Sequence, residues 1–173
     1  LGSKGAEAVR QLAPAGLAET VNVRITQSGG SELDYTVEAD LKDASFTFSL
    51  FPYKVTGTEG HLTIHPDRVV IARLRGRHGK TPIDITGQLF IASEDVGLDL
   101  NIKAEGIAFD DELHAALPSQ VKRVWKRLHP AGRGDLDLDI RYDTPTLAGK
   151  VDYRLTVQAR GMSARYTLSL IHI

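Results

Sequence analysis

The 173-residue sequence contains no cysteine. That excludes disulfides, thiol nucleophiles, thiolate zinc sites and iron–sulfur ligation together, and it leaves the cellular compartment open. No excess of charge of either sign is present: 21 Lys and Arg stand against 22 Asp and Glu, a formal net charge of −1. A protein whose main task is to hold nucleic-acid phosphates normally carries a basic excess, so no nucleic-acid partner is expected. No apolar run approaches the ~18 residues of a membrane-spanning helix. The opening Leu1-Gly2-Ser3-Lys4 is neither a signal peptide nor an initiator methionine, so a piece of a longer chain is expected. The Gly-x-Ser-x-Gly elbow and the Gly-x-x-x-x-Gly-Lys phosphate loop are both missing.

What the chain does have is alternation. Apolar residues recur with a period of two, the mark of strands with one buried face. Val21, Val23 and Ile25 form one run, and Leu33, Tyr35, Val37, Ala39 and Leu41 the next, with Gly29-Gly30-Ser31 between them. Phe46, Phe48 and Leu50 carry the pattern on to Pro52, and Leu62 and Ile64 predict a short strand ending near Pro66-Asp67. Val69 to Leu74 is less regular and predicts a bend or bulge. Beyond the polar Gly76-Arg77-His78-Gly79-Lys80, the residues Ile83, Ile85, Leu89 and Ile91 share one face. Val96, Leu98, Leu100, Ile102 and Ala104 follow, then Leu136, Leu138, Ile140 and Tyr142, then Val151, Tyr153, Leu155, Val157 and Ala159. Short turns between such runs predict antiparallel strands with one wet face.

Two stretches break the period. Leu113, Leu117, Val121, Val124, Trp125 and Leu128 fall at helical spacing, acidic at the start and basic at the end. Pro118 divides them into a short turn from Asp111 to Leu117 and a main helix with Ser119 as its N-cap. Ser3 to Leu12 is a shorter helical candidate, and both helices run into Pro-Ala-Gly: Pro14-Ala15-Gly16 and Pro130-Ala131-Gly132.

The segments Leu12-Ala13-Pro14-Ala15-Gly16 and Leu128-His129-Pro130-Ala131-Gly132 lie 116 positions apart, each followed by a strand of the same cadence. Asp34-Tyr35 then matches Asp152-Tyr153, and Val37-Glu38-Ala39 matches Val157-Gln158-Ala159. An internal repeat is expected on this ground: 1–16 closing one unit, 17–132 a β-rich unit ending in a helix, and 133–167 opening the next. The final Leu168-Ser169-Leu170-Ile171-His172-Ile173 resembles a translated sequencing-adapter read-through, so 168–173 is expected to be non-native.

Tyr53-Lys54-Val55-Thr56-Gly57, Gly60-His61-Leu62-Thr63-Ile64, Val69-Val70-Ile71 and Pro82-Ile83-Asp84-Ile85-Thr86-Gly87 together resemble the AsmA-like family of bacterial envelope proteins. Asp99-Leu100-Asn101-Ile102-Lys103-Ala104-Glu105-Gly106, leading into Ile107 to Leu117, is similar to that family's strand-to-helix step. The resemblance is one of cadence over Val21 to Ala159. It implies a mainly β fold: an elongated, twisted antiparallel sheet curled into a groove, with a helix packed on it and a short N-terminal helix. It further implies a periplasmic protein anchored to the inner membrane, whose groove shields the acyl chains of a phospholipid or other acyl-chain lipid in phospholipid transport and outer-membrane biogenesis. The residues themselves support a groove wall suited to alkyl chains. Its candidates are Ile83, Ile85, Leu89, Ile91, Val96, Leu98, Leu100 and Ile102. The alternative is a self-contained β-sandwich or barrel used for binding or adhesion.

Other clusters read as solvent-facing strand positions. His61 and His65 lack a third ligand at a suitable spacing, so no metal is expected. Asp135, Asp137 and Asp139 alternate with leucines, as a wet strand face would. The basic turn, extended by Arg73 and Arg75, either meets anionic headgroups or is a solvated hairpin tip. Lys122, Arg123, Lys126 and Arg127 are expected to complement a helix C-terminus, and Trp125 to pack on the sheet. No catalytic constellation and no cofactor are expected.

Overall fold

The computed structural model describes residues 15–26, 34–48, 51–91, 96–143, 150–161 and 163–164. The predicted N-terminal helix, Pro14 and the 168–173 tail lie outside them. Eight strands form one antiparallel sheet: β1 (Ala15–Thr26), β2 (Asp34–Phe48), β3 (Phe51–Ile64), β4 (Arg68–His78), β5 (Thr81–Ile91), β6 (Val96–Ala108), β8 (Arg133–Asp143) and β9 (Val151–Ala159). Each strand pairs with its neighbour in sequence, and the one excursion lies between β6 and β8. It holds α1 (Asp111–Ala116), α2 (Ser119–Leu128) and the two-residue β7 (Pro130–Ala131). The sheet is open: among the described residues β1 and β9 are its edges.

The expected irregularity in β4 is a bulge. Ile71 and Leu74 pair with Gly87 and Ile85 of β5, and on the other side the register slips between His61 and Leu62. Further slips along β1–β2 and β2–β3 bend that half of the sheet, since an inserted residue raises the local twist. β5, β6, β8 and β9 pair with a single slip, between Ala104 and Ile107.

Several boundaries differ from the sequence expectation, and the short strand expected at Leu62 and Ile64 is the end of the longer β3. Pro52 does not close a strand but stands inside β3, exposed. It lies beyond the stretch that β3 shares with β4, which begins at Thr56 opposite Arg77. A proline there forfeits no bond of that ladder. Likewise Gly76, Arg77 and His78 belong to β4, and the turn is only Gly79 and Lys80.

Asp110 caps α1, its Oδ1 accepting from the Leu113 amide at 2.9 Å. In α2 the N-cap is Pro118 and not Ser119, whose hydroxyl donates to Gln120 Oε1 instead. α2 stops where His129 turns left-handed, and the second Pro-Ala-Gly then enters β7. β7 pairs with β10 (Ser163–Ala164), and the Arg160 amide donates to the Arg133 carbonyl between the two ladders. β7–β8 and β9–β10 therefore run on as one kinked hairpin.

The two segments proposed as repeats are both hairpins of the sheet. Ile25 faces Tyr35 in one, and Ile140 faces Tyr153 in the other. Val23 opposes Val37 and Leu138 opposes Leu155, so by register Val37 corresponds to Leu155 and not to Val157. In a meander every adjacent pair of strands is a hairpin of this kind.

Candidate functional site: the apolar concave face

β5 and β6 place the predicted wall residues side by side. Ile85 pairs with Ile102, Leu89 with Leu98, Ile91 with Val96, and Leu100 with Gly87. Residues two apart on each strand share a face, so Ile83, Ile85, Leu89, Leu98, Leu100 and Ile102 form one apolar surface. The surface is far more covered than an open groove requires. Ile83, Leu89, Leu98, Leu100 and Ile102 are buried at 3–7% exposure, and Ile85 alone of the six described side chains is half-buried. The side chains of Ile91 and Val96 lie outside the described residues.

The cover comes from the chain itself. Phe51, Tyr53 and Val55 of β3 and Val69, Ile71 and Leu74 of β4 join the same buried cluster. The cleft between these residues and the β5–β6 wall has a free volume of about 70 Å³, and all its lining side chains are aliphatic or aromatic. Phe46, Leu62 and Ile85 form its half-buried part. The sequence alone predicts no contribution from β3 because Pro52 predicts a stop, although Phe51, Tyr53 and Val55 alternate around it.

α1 seals one end of the concave face, packing on β3 with Leu113 wholly buried. Glu112 Oε2 lies 3.2 Å from His78 Nε2, and His78 Nδ1 donates to the Lys54 carbonyl at 2.8 Å. The His78 ring stacks on Tyr53 with centroids 3.8 Å apart. α2 lies more shallowly. Trp125 sits 5.6 Å from the Phe109 ring and 5.4 Å from that of His114, and no residue of α2 is fully buried. Among the described residues, Thr58 Oγ1 and His114 Nε2 are buried polar atoms without a hydrogen-bond partner.

Burial pushes the Tyr53 hydroxyl up to about 12, and the Asp110 and Glu112 carboxylates add to the effect. The folded chain therefore keeps this proton at a pH where the unfolded chain has released it. The resulting stability is complete below about pH 10 and disappears between about pH 10 and 12. Urea midpoints are expected to fall steeply across that window. Tyr53→Phe should leave only the weaker alkaline loss due to Tyr153, whose hydroxyl burial also raises. Equal alkaline losses in both proteins would refute this account of Tyr53.

The opposite face is polar and internally matched. Asn101 Nδ2 donates to Asp137 Oδ1 at 2.7 Å and to Asp139 Oδ1 at 2.8 Å. Asp135 accepts from the Gly106 amide and pairs with Arg160. Arg73 and Arg75 both reach Asp84, at 2.7 and 3.2 Å, and the Arg73 hydrogen bond holds the Asp84 carboxyl below its usual range. These arginines are thereby engaged with a carboxylate on the neighbouring strand. His61 pairs with Asp40 at 2.8 Å, and His65 lies 3.5 Å from Thr36. Among the described residues no three potential ligands gather into a metal site.

Toward β9 the apolar face loses its cover. Leu136, Leu138 and Ile140 of β8 are buried, whereas Val151, Tyr153 and Leu155 of β9 are half-buried and Val157 is 37% exposed. No helix among the described residues is long and apolar enough to cross a membrane. Comparisons with protein-family models, curated proteins and solved structures find no match.

Proposed function

We propose that the chain is a non-enzymatic segment of an AsmA-like cell-envelope protein. In this reading the full-length protein is periplasmic and anchored to the inner membrane, and the concave face takes phospholipid acyl chains during lipid transport for outer-membrane biogenesis. The observation that carries the proposal is the apolar face running past β8 onto β9, which among the described residues is an edge strand and where the cover fades. A finished soluble module normally covers or blunts such an edge. Each methylene taken up from water by such a surface contributes about 0.8 kcal/mol. A second reading, a self-contained binding module, is favoured by the size of the cleft. Its 70 Å³ falls well short of the roughly 300–1,000 Å³ of ordinary ligand sites. Acyl entry therefore requires the half-buried rim at Phe46, Leu62 and Ile85 to open.

The test is a photo-crosslinking residue at Ile85, with Thr86 on the other face as the control. The purified chain is exposed to monomeric short-chain phosphatidylcholine. Acyl adducts at position 85 and not at 86 are expected. A folded protein that gives no adduct at 85 would hand the concave face to the second reading, as ordinary core.

A further inference from the structure

We infer that one flank of α2 is a docking surface for an anionic phospholipid bilayer. α2 has four basic and no acidic residues in ten positions, within a chain of net charge −1. Local roles account for some of them. Lys122 Nζ donates to the Ala115 carbonyl at the end of α1, and Lys126 and Arg127 stand in the last turn, where cations suit the helix dipole. Arg123 has neither role. It stands one turn before Arg127, and like charges at this spacing weaken a helix. Arg123, Lys126 and Arg127 are exposed, and among the described residues their side chains have no ion pair or hydrogen bond. An anion supplied from outside would relieve the repulsion.

Beside the arginine pair lies an apolar pair with the same four-residue spacing. Val124 is 54% exposed and Leu128 is 36% exposed, two of the three large hydrophobic residues most exposed among those described. Val121 and Trp125 face the sheet, so Val124 and Leu128 are left on the outer flank, next to Arg123 and Arg127. Two cations bordering two uncovered aliphatics match the headgroup boundary of a bilayer, where phosphates and the outer acyl carbons lie at adjacent depths. An acidic protein surface would satisfy the arginines and leave the aliphatics without a partner. The inference does not depend on the cleft, and a cleft that takes no acyl chain leaves it intact.

The test is co-sedimentation of the whole chain with phosphatidylcholine vesicles, with and without about 30 mol% phosphatidylglycerol. Binding is expected only to the anionic vesicles and should weaken as salt rises. The double variant R123Q/R127Q should lower the partition coefficient about thirtyfold. V124S/L128S, which leaves the charge unchanged, should lower it severalfold. All four positions are solvent-exposed, and circular dichroism checks that the variants keep their fold. Equal binding to both vesicle types, or an unchanged R123Q/R127Q, would overturn the inference. So would V124S/L128S binding like the parent, or retention on an acidic polypeptide column without vesicle binding.

Discussion

Gly87→Ala is expected to lower stability by more than ~4 kcal/mol, well outside the range of ordinary substitutions. Gly87 has φ of +137°, and a Cβ there would fall 2.1 Å from the Asp99 carbonyl oxygen and 2.9 Å from the Leu100 Cα. Those are backbone atoms of the adjacent strand, so no rotamer change relieves the clash; the β5–β6 ladder itself has to part. Gly60 repeats the arrangement on β3, with φ of +147° and the Arg73 carbonyl at 2.1 Å. Gly106 provides the comparison, with a positive φ of +62° but open space around it. Gly106→Ala should cost only the ~1–2 kcal/mol of a left-handed L-residue. Urea unfolding of the three variants separates close approach from backbone strain. If Gly87→Ala proves no more costly than Gly106→Ala, the strands are not held this tightly together.

Leu100→Asp is expected to abolish cooperative folding, whereas Ile85→Asp should fold and lose acyl crosslinking from a neighbouring reporter at Leu62. Leu100 is 3% exposed and sits between Gly87 and Ile140 in the sheet. A carboxylate there has no described partner and no route to water, a cost of several kcal/mol. Ile85 lies on the half-buried rim of the cleft, where a carboxylate can turn towards solvent. Near-ultraviolet circular dichroism and a urea transition report the first effect, and mass spectrometry of adducts the second. Should both variants fold equally well, Leu100 is not core and the division of the wall is wrong.

Much of this was written in the alternation of the chain. Leu98, Leu100, Ile102 and Ala104 declare one buried face whatever the strand pairs with, because successive side chains point to opposite sides of any strand. The irregular Val69–Leu74 announced the β4 bulge, and the acidic start and basic end marked the α1–α2 excursion. Pro52 does not end β3, because a proline stops a strand only where its missing amide is needed, and that depends on the partner strand.

How much of the wall the chain itself covers was decided only in three dimensions. Aliphatic residues at alternating positions serve equally well against a lipid or against the chain's own far strands. That cover comes from contacts distant in sequence: Glu112 of α1 meeting His78 of β4, Phe51 and Tyr53 packed with the β5–β6 wall, and bulges that curl β2 to β4 around it. Curvature sums small local departures from a flat ladder, and no single residue encodes that sum. The sequence could therefore name the face of each described wall residue, while only the folded sheet fixed how much of that face still meets solvent.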